Sequence, residues 1–316
     1  MELDPRKPFT VGAGRAAGLS RRQFGSADFP RIAHGLYVAA GVRTDALLRA
    51  RPLLGRLAGD PHLSHQTAAE LHGLWVPQSA LLHVCRDAAR KRLRPADIAS
   101  HQCPCHGDDR EPGAIQERDG VPISSPLKCF RELADVLELI DLVVLGDSLV
   151  ARGFASPERL VADVADFHGD GAIRARRAAS YVRAGVESPP ESRSRMLLIA
   201  GGLPEPVVNL TVITRAGRRR RTDLGYKEWK VGGEYEGRHH AEDSAQYRSD
   251  IVRREEFDEL GWRLILIESH GLYVDPMGTV DRMEAALRQA GWREPRKPWP
   301  DFRRHFPGRP AKPYPA

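Results

Sequence analysis

Cysteine, long apolar runs and internal repetition are all scarce in this chain, and each shortage closes off a class of protein. Only four cysteines, Cys85, Cys103, Cys105 and Cys129, occur in 316 residues, too few for a disulfide scaffold in a chain of this length. No stretch of about 18 apolar residues is present, so no segment suits a helical bilayer span. The start, MELDPRKPFT, lacks the charged-then-apolar order of a signal peptide. Membrane insertion and secretion are thereby disfavoured, and a cytoplasmic protein is expected. No repeat of solenoid length is visible, so different units should follow one another in series. A paired C-x2-C is missing as well. HQCPCH collects His101, Cys103, Cys105 and His106, all zinc-type ligands, but the spacing is wrong for a tetrahedral clasp and a proline separates the thiols. Structural or incidental thiols are expected there.

Charge is what the chain has. Forty-eight Lys and Arg stand against 42 Asp and Glu, a formal net charge of +6, so basicity matters mainly where it is concentrated. One concentration is IRARRAASYVRAG, with Arg174, Arg176, Arg177 and Arg183; the other is TRAGRRRR, with Arg215 and Arg218, Arg219, Arg220 and Arg221. Either run can be a solvated face or a phosphate-binding strip, since clustered arginine neutralises phosphates and releases counterions.

The length suits two or three units of about 100 to 200 residues. Residues 1–42 read as a short helix around Gly14 to Ala17, a turn at Gly18, a second short helix near Arg21 and an extended HGLYVAA. That is the order of a small winged-helix module, whose second helix can enter a major groove; a loop-rich arm is the equal alternative. Residues 43–184 mix helices and strands. LSHQTAAELHGLW starts at a capping Ser64, LLHVCR and GVPISS alternate like strands, and a helix from Ser125 carries Leu127, Phe130, Leu133 and Leu137 on one stripe. His62, His65 and His72 lie close in sequence, but without acids or thiols beside them they read as helix-face or capping residues. Residues 185–293 follow the order α-β-β-β-α-β-α. A helix begins at Ser188 with two prolines and stops at Gly201-Gly202; three strands follow, then a charged helix with Tyr247, Ile251 and Leu260 turned inward, the strand WRLILIES, and a helix with Val280, Met283 and Leu287 on its apolar face. Residues 294–316 are a Pro- and Arg-rich tail. The expected fold class is α/β.

RRRRTDLGYKEWKVGGEYEGRHH, residues 218–240, gathers Asp223, Glu234 and Glu236 in one apparent hairpin. Residues two apart in a strand share a face, so Glu234 and Glu236 point one way. With Asp223 on the neighbouring strand, three carboxylates approach, an unfavourable arrangement unless a cation or a shared proton relieves it. Mg2+ is the usual relief and can bridge a phosphodiester oxygen and an attacking water. The simpler alternative has Asp223 pairing with Arg220 or Arg221, and Glu234 and Glu236 answering Lys227 and Lys230. Glu191, three residues after Ser188, also fits a capping box.

Taken together, SPPESRSRMLLIAGGLPEPVVNLTV, TDLGY, GGEYEGRHH and GWRLILIES resemble the very-short-patch-repair-like endonuclease domains of the restriction-endonuclease-like, PD-(D/E)XK fold. FTVGAGRAAGLSRRQF and RIAHGLYV are similar to the winged-helix module of AbiEi-type abortive-infection antitoxins. The resemblance implies an αβββαβ domain preceded by that module, with DNA as partner and Mg2+ (or Mn2+) as cofactor. Asp223 and Glu234 are then the metal acids, Glu191 the acid from the first helix, and His239 or His240 an assisting histidine. Arg218 through Arg221 would grip phosphate. The wider fold has Lys where Glu236 stands, so Glu236 is the departure and the histidines its replacement. The other function implied is a non-catalytic, antitoxin-type DNA-binding regulator, contacting DNA near Arg21 and Arg22, with a partner toxin.

Overall fold

The computed structural model describes residues 4, 7–33, 35–42, 45–55, 57, 60–87, 97–103, 113–236 and 244–308, the side chains of 33, 87, 103 and 244–250 excepted. The chain divides into two units, Met1–Leu133 and Ala134–Ala316. The stretch 43–184, read from sequence as one region, is shared between them.

The first unit opens with β1 (Phe9–Thr10), α1 (Val11–Ala16), β2 (Arg31–Ala33) and β3 (Leu36–Tyr37). β3 pairs antiparallel with both other strands, giving the order β1-β3-β2. The Thr10 hydroxyl caps α1 by accepting from the Ala13 N–H at 3.0 Å. The second helix expected near Arg21 is a turn over 21–25 instead. There the Gln23 side chain accepts from both the N–H and the hydroxyl of Ser20, at 2.8 and 2.9 Å, which closes one turn. Gly25, at φ 84°, then leaves the right-handed region, and Phe24 packs against Phe9 and Tyr37. Aromatic packing, not a helical repeat, fixes this segment.

Next come α2 (Ala46–Leu54), β4 (His62–Leu63), α3 (His65–Leu71), β5 (Leu82–Asp87), β6 (Ile98–Cys103), β7 (Ile115–Arg118), β8 (Val121–Ser124) and α4 (Pro126–Leu133). The strands form one mixed sheet in the order β6-β5-β4-β8-β7. Its core includes Leu63, Val84, Ile123, Phe130 and Leu133, all fully buried. β4 is short, central and hidden on both faces. The helix read from Ser125 starts at Pro126 but stops at Leu133, and the next one begins at Leu139.

In the second unit α5 (Leu139–Ala151), α6 (Pro157–Ala165), α7 (Ala172–Tyr181) and α8 (Pro189–Ala200) precede β9 (Val207–Ile213), β10 (Arg219–Tyr226), β11 (Val231–Glu236), α9 (Ser244–Glu259), β12 (Arg263–Glu268), α10 (Ser269–Tyr273), α11 (Pro276–Gln289) and α12 (Phe302–His305). The sheet order is β12-β11-β10-β9. β9, β10 and β11 form an antiparallel meander, and α9 makes the crossover that lets β12 run parallel to β11. α8 is buried on nearly every side from Ser192 to Leu198, so its arginines require partners. Arg195, fully buried, lies 2.9 Å from the equally buried Asp147 of α5, and Arg193 pairs with Asp141. These pairs pin α8 to α5, and α8 in turn presents Glu191 at its N-terminal end. Val280, Met283 and Leu287 of α11 are buried as read, but α9 is turned differently from expectation. Ile251 is 41% exposed, while Glu256 and Phe257 face inward. Among the described residues no helix is long and apolar enough to cross a membrane.

Candidate carboxylate site at a strand fork

β10 pairs with β9 from Arg219 to Gly225, but with β11 only from Leu224 to Tyr226. The two strands therefore part at Asp223, and side chains take over the missing ladder. The Thr222 hydroxyl donates to the Gly233 carbonyl at 3.1 Å, and the Asp223 carboxylate accepts from the Tyr235 N–H at 2.9 Å. β11 can sit this close because position 232 is glycine; a Cβ there would meet Leu264 Cδ2 at 2.7 Å and Thr222 Oγ1 at 2.8 Å. The fork brings Glu234, buried to 8% exposure, beside Asp223.

Electrostatics marks the spot. Burial is the main cause that raises the pKa of Asp223, Glu234 and Glu191 alike. The negative charge of Asp223 adds to the rise at both glutamates, and Glu234 reaches about 7 although Arg253 works against it. Carboxylates pushed toward their neutral form in one place are a functional-site signature, because a cation would reverse the push.

Glu191 is held in a capping box. Its oxygens accept from the Ser188 hydroxyl at 2.7 Å and the Glu187 N–H at 3.0 Å. The same carboxylate receives Asn209 Nδ2 at 3.5 Å. Asn209 was missed in the sequence. The register that places Thr222 beside Leu210 and Leu224 beside Val208 puts it beside Asp223. Its φ of 49° lies in the left-handed region, which Asn tolerates better than most residues. Its Oδ1 is buried with no hydrogen-bond partner among the described residues. Asn within a strand of valines and leucines was the available signal.

The remaining expected residues divide. Glu234 pairs with Arg253, which also donates to the Arg221 carbonyl at 2.7 Å. Glu236 faces Arg254 at 3.9 Å. Lys227 and Lys230 are thus not the partners; helix α9 supplies them. Arg218 and Arg220 both pair with Glu256, Arg221 makes a bidentate pair with Glu187 at 2.7 Å, and Arg219 is exposed. Of the four arginines expected to grip phosphate, Arg218, Arg220 and Arg221 are thus answered by carboxylates, while Arg218 and Arg221 stay exposed alongside Arg219. Arg21 and Arg22 are exposed on the turn of the first unit. His239 and His240 lie outside the described residues. Asp223, Glu234 and Glu191 do not bring one oxygen each within 4.8 Å of one another; among the described residues only His62, Cys85 and Glu132 form such a three-ligand group.

No protein-family model matches the chain. Two uncharacterized proteins of Mycobacterium tuberculosis, MT2308 of strain CDC 1551 / Oshkosh and Rv2248 of strain ATCC 25618 / H37Rv, are each 24% identical over 262 residues, covering 82% of this chain and 93% of theirs. A solved structure, the RV2827C protein of the same species, aligns with 17% identity and a TM-score of 0.37 over 66% of this chain and 84% of that one.

Proposed function

We propose that the second unit is a DNA-binding, metal-dependent endonuclease domain of the restriction-endonuclease-like class, resembling very-short-patch-repair enzymes. The observation that carries it is the fork itself: half-buried Asp223 beside buried Glu234, both with raised pKa, near Asn209, whose Oδ1 has no hydrogen-bond partner among the described residues. The order α8-β9-β10-β11-α9-β12 is the αβββαβ order of that class. Oxygen donors suit Mg2+ or Mn2+, which needs only one or two carboxylates and keeps its waters, so Asp223 and Glu234 are the residues that would hold it. When bound, such an ion supplies charge for a phosphodiester oxygen and makes a water more acidic.

The chain's own residues do the rest. Tyr235 N–H and the Asn209 amide orient the acids, and Arg253 supplies the cation that Glu236 cannot. Arg219 offers a contact to the phosphate backbone. The test incubates the purified chain with supercoiled plasmid or mismatched duplex and Mg2+ or Mn2+, beside Asp223→Asn. Metal-dependent nicking lost in the variant supports the site; equal cleavage by both removes it.

One observation favours a second reading. Arg253 already pairs with Glu234, an arrangement that suits a non-catalytic, antitoxin-type DNA-binding regulator, with DNA contact near Arg21 and Arg22 and a toxin as partner. Salt-dependent DNA binding without cleavage in either metal is its expected outcome.

A further inference from the structure

The first unit holds a polar cluster that the nuclease reading does not use. His62 of β4 stands opposite Cys85 of β5 in the antiparallel register, and Glu132 comes from the last turn of α4. One donor atom from each of these three residues lies within 4.8 Å of the other two. All are hidden: His62 is 5% and Cys85 1% exposed, and the Glu132 side chain 8%. Sequence gave His62 and His65 no acid or thiol nearby; the fold brings one of each from distant segments.

The surroundings are built around Glu132. The His65 N–H donates to its Oε2 at 2.9 Å, the Ser124 hydroxyl to Oε1 at 2.8 Å, and His65 Nδ1 stands 3.8 Å away. His65 also sits at φ 50° between strand and helix, a left-handed conformation that is strained for such a residue and persists where the surroundings hold it. Its ring stacks on His101 at 3.5 Å. His101 Nε2 lies 2.9 Å from His83 Nδ1, and His83 Nε2 lies 2.9 Å from the Ser79 hydroxyl. Four imidazoles, a carboxylate and a strained backbone thus meet at one strand-to-helix elbow, far more polar chemistry than a core needs.

We propose that His62, Glu132 and the thiolate form of Cys85 hold a zinc-class divalent ion in the first unit. Imidazole, carboxylate and thiolate form a donor set such an ion accepts, with a fourth position for water or a neighbouring group. Glu132 is already an anion: although its burial opposes ionisation, His62 at 4.0 Å and the charges of His65 and Lys128 hold its pKa at about 2. Lys128, with Nζ 3.6 Å from Glu132, is the cation that balances it and would yield to the metal. Cys85 is disulfide-bonded in this structure, so the site is conditional on redox state. A dithiol reductant supplies two electrons and two protons, converting the disulfide to two thiols and becoming a cyclic disulfide itself. Metal binding then releases the Cys85 proton.

The test uses the full chain carrying Asp223→Asn, so that the carboxylate fork does not compete. Protein reduced with a dithiol, then freed of it without air, is titrated with Co2+ as a spectroscopic stand-in for Zn2+. One equivalent should bind with a thiolate-to-cobalt charge-transfer band, and Zn2+ should displace it. Cys85→Ser should remove that band, and Glu132→Gln should weaken binding more than about 100-fold, beyond the usual loss for an outer-shell change. Reoxidised protein should bind neither ion. Absence of binding to reduced protein, or binding indifferent to both Cys85→Ser and reoxidation, overturns the proposal. The reduced and oxidised forms of one protein keep the test decisive even where Glu132→Gln fails to fold.

Discussion

Two glutamates, Glu132 in the first unit and Glu234 in the second, are buried to about the same degree, with side chains 8% and 10% exposed, yet they titrate in opposite directions. Glu132 falls to about 2 and Glu234 rises to about 7. Burial pushes both upward; the neighbours decide the sign. Around Glu132 stand a backbone N–H, a serine hydroxyl, Lys128 and two histidines, all favouring the anion. Around Glu234 stand Arg253 and, more weakly, Arg254, which fail to outweigh burial and the like charge of Asp223. The first carboxylate is a satisfied ion whose cation is already in place. The second still lacks positive charge, which makes the fork the better place for an added hard cation and leaves the first cluster to an ion able to displace Lys128.

Breaking that contrast at Glu132 should have the largest effect. Glu132→Ala leaves Lys128 buried without its carboxylate, and removing one partner of a buried pair costs about 3–5 kcal/mol. Urea unfolding followed by the fluorescence of Trp75, the sole tryptophan of the first unit, measures it. A loss below about 1 kcal/mol would mean that the histidines and Lys128 do not depend on this anion.

The pH dependence should come next, with opposite signs in the two units. Glu234 has a folded pKa above the ordinary glutamate value, so the folded form binds the extra proton and stability falls as pH rises from about 4.5 to about 7. The full swing is up to ~3 kcal/mol at about 1.4 kcal/mol per pKa unit. Glu132 has a depressed pKa, so its contribution is complete above about 4.5 and is lost as pH falls toward about 2. Unfolding of the second unit, which holds Trp229, Trp262, Trp292 and Trp299, should lose its slope between pH 4.5 and 7 in Glu234→Gln. An unchanged slope would assign the effect to another group.

How much of this was legible in the sequence depended on whether the deciding contact was local. Ser188 with its prolines set the start of α8, Gly201-Gly202 its end, and the apolar run of β12 and the stripe of α11 needed no distant information. The helix near Arg21 failed because a side-chain bond within Ser20–Gln23 and a following glycine closed a single turn. α9 is turned differently from expectation because its inward face answers Arg218 and Arg220 with Glu256 instead of burying Ile251. Asp223 and Glu234 were legible from strand alternation, whereas Asn209, Arg253 and the whole His62 cluster depend on partners far away in the chain. Glu132 lies about 70 residues beyond His62, and nothing in the spacing of either announces the other.

The smallest expected effect separates the arginines that hairpin composition made look alike. Arg219 is exposed, while Arg221 already spends its guanidinium on Glu187 through two 2.7 Å bonds. A free arginine that meets a phosphate releases a counterion, and losing it lowers the slope of log affinity against log salt by about 1. An arginine fixed in an exposed carboxylate pair brings little net charge to the backbone, and the pair itself is worth about 0–1 kcal/mol. Arg219→Ala should therefore flatten the salt dependence of duplex binding, measured by fluorescence anisotropy across a salt series, more than Arg221→Ala does. Equal changes would mean that DNA pulls Arg221 away from Glu187, and would restore the arginine run as a single phosphate-binding strip.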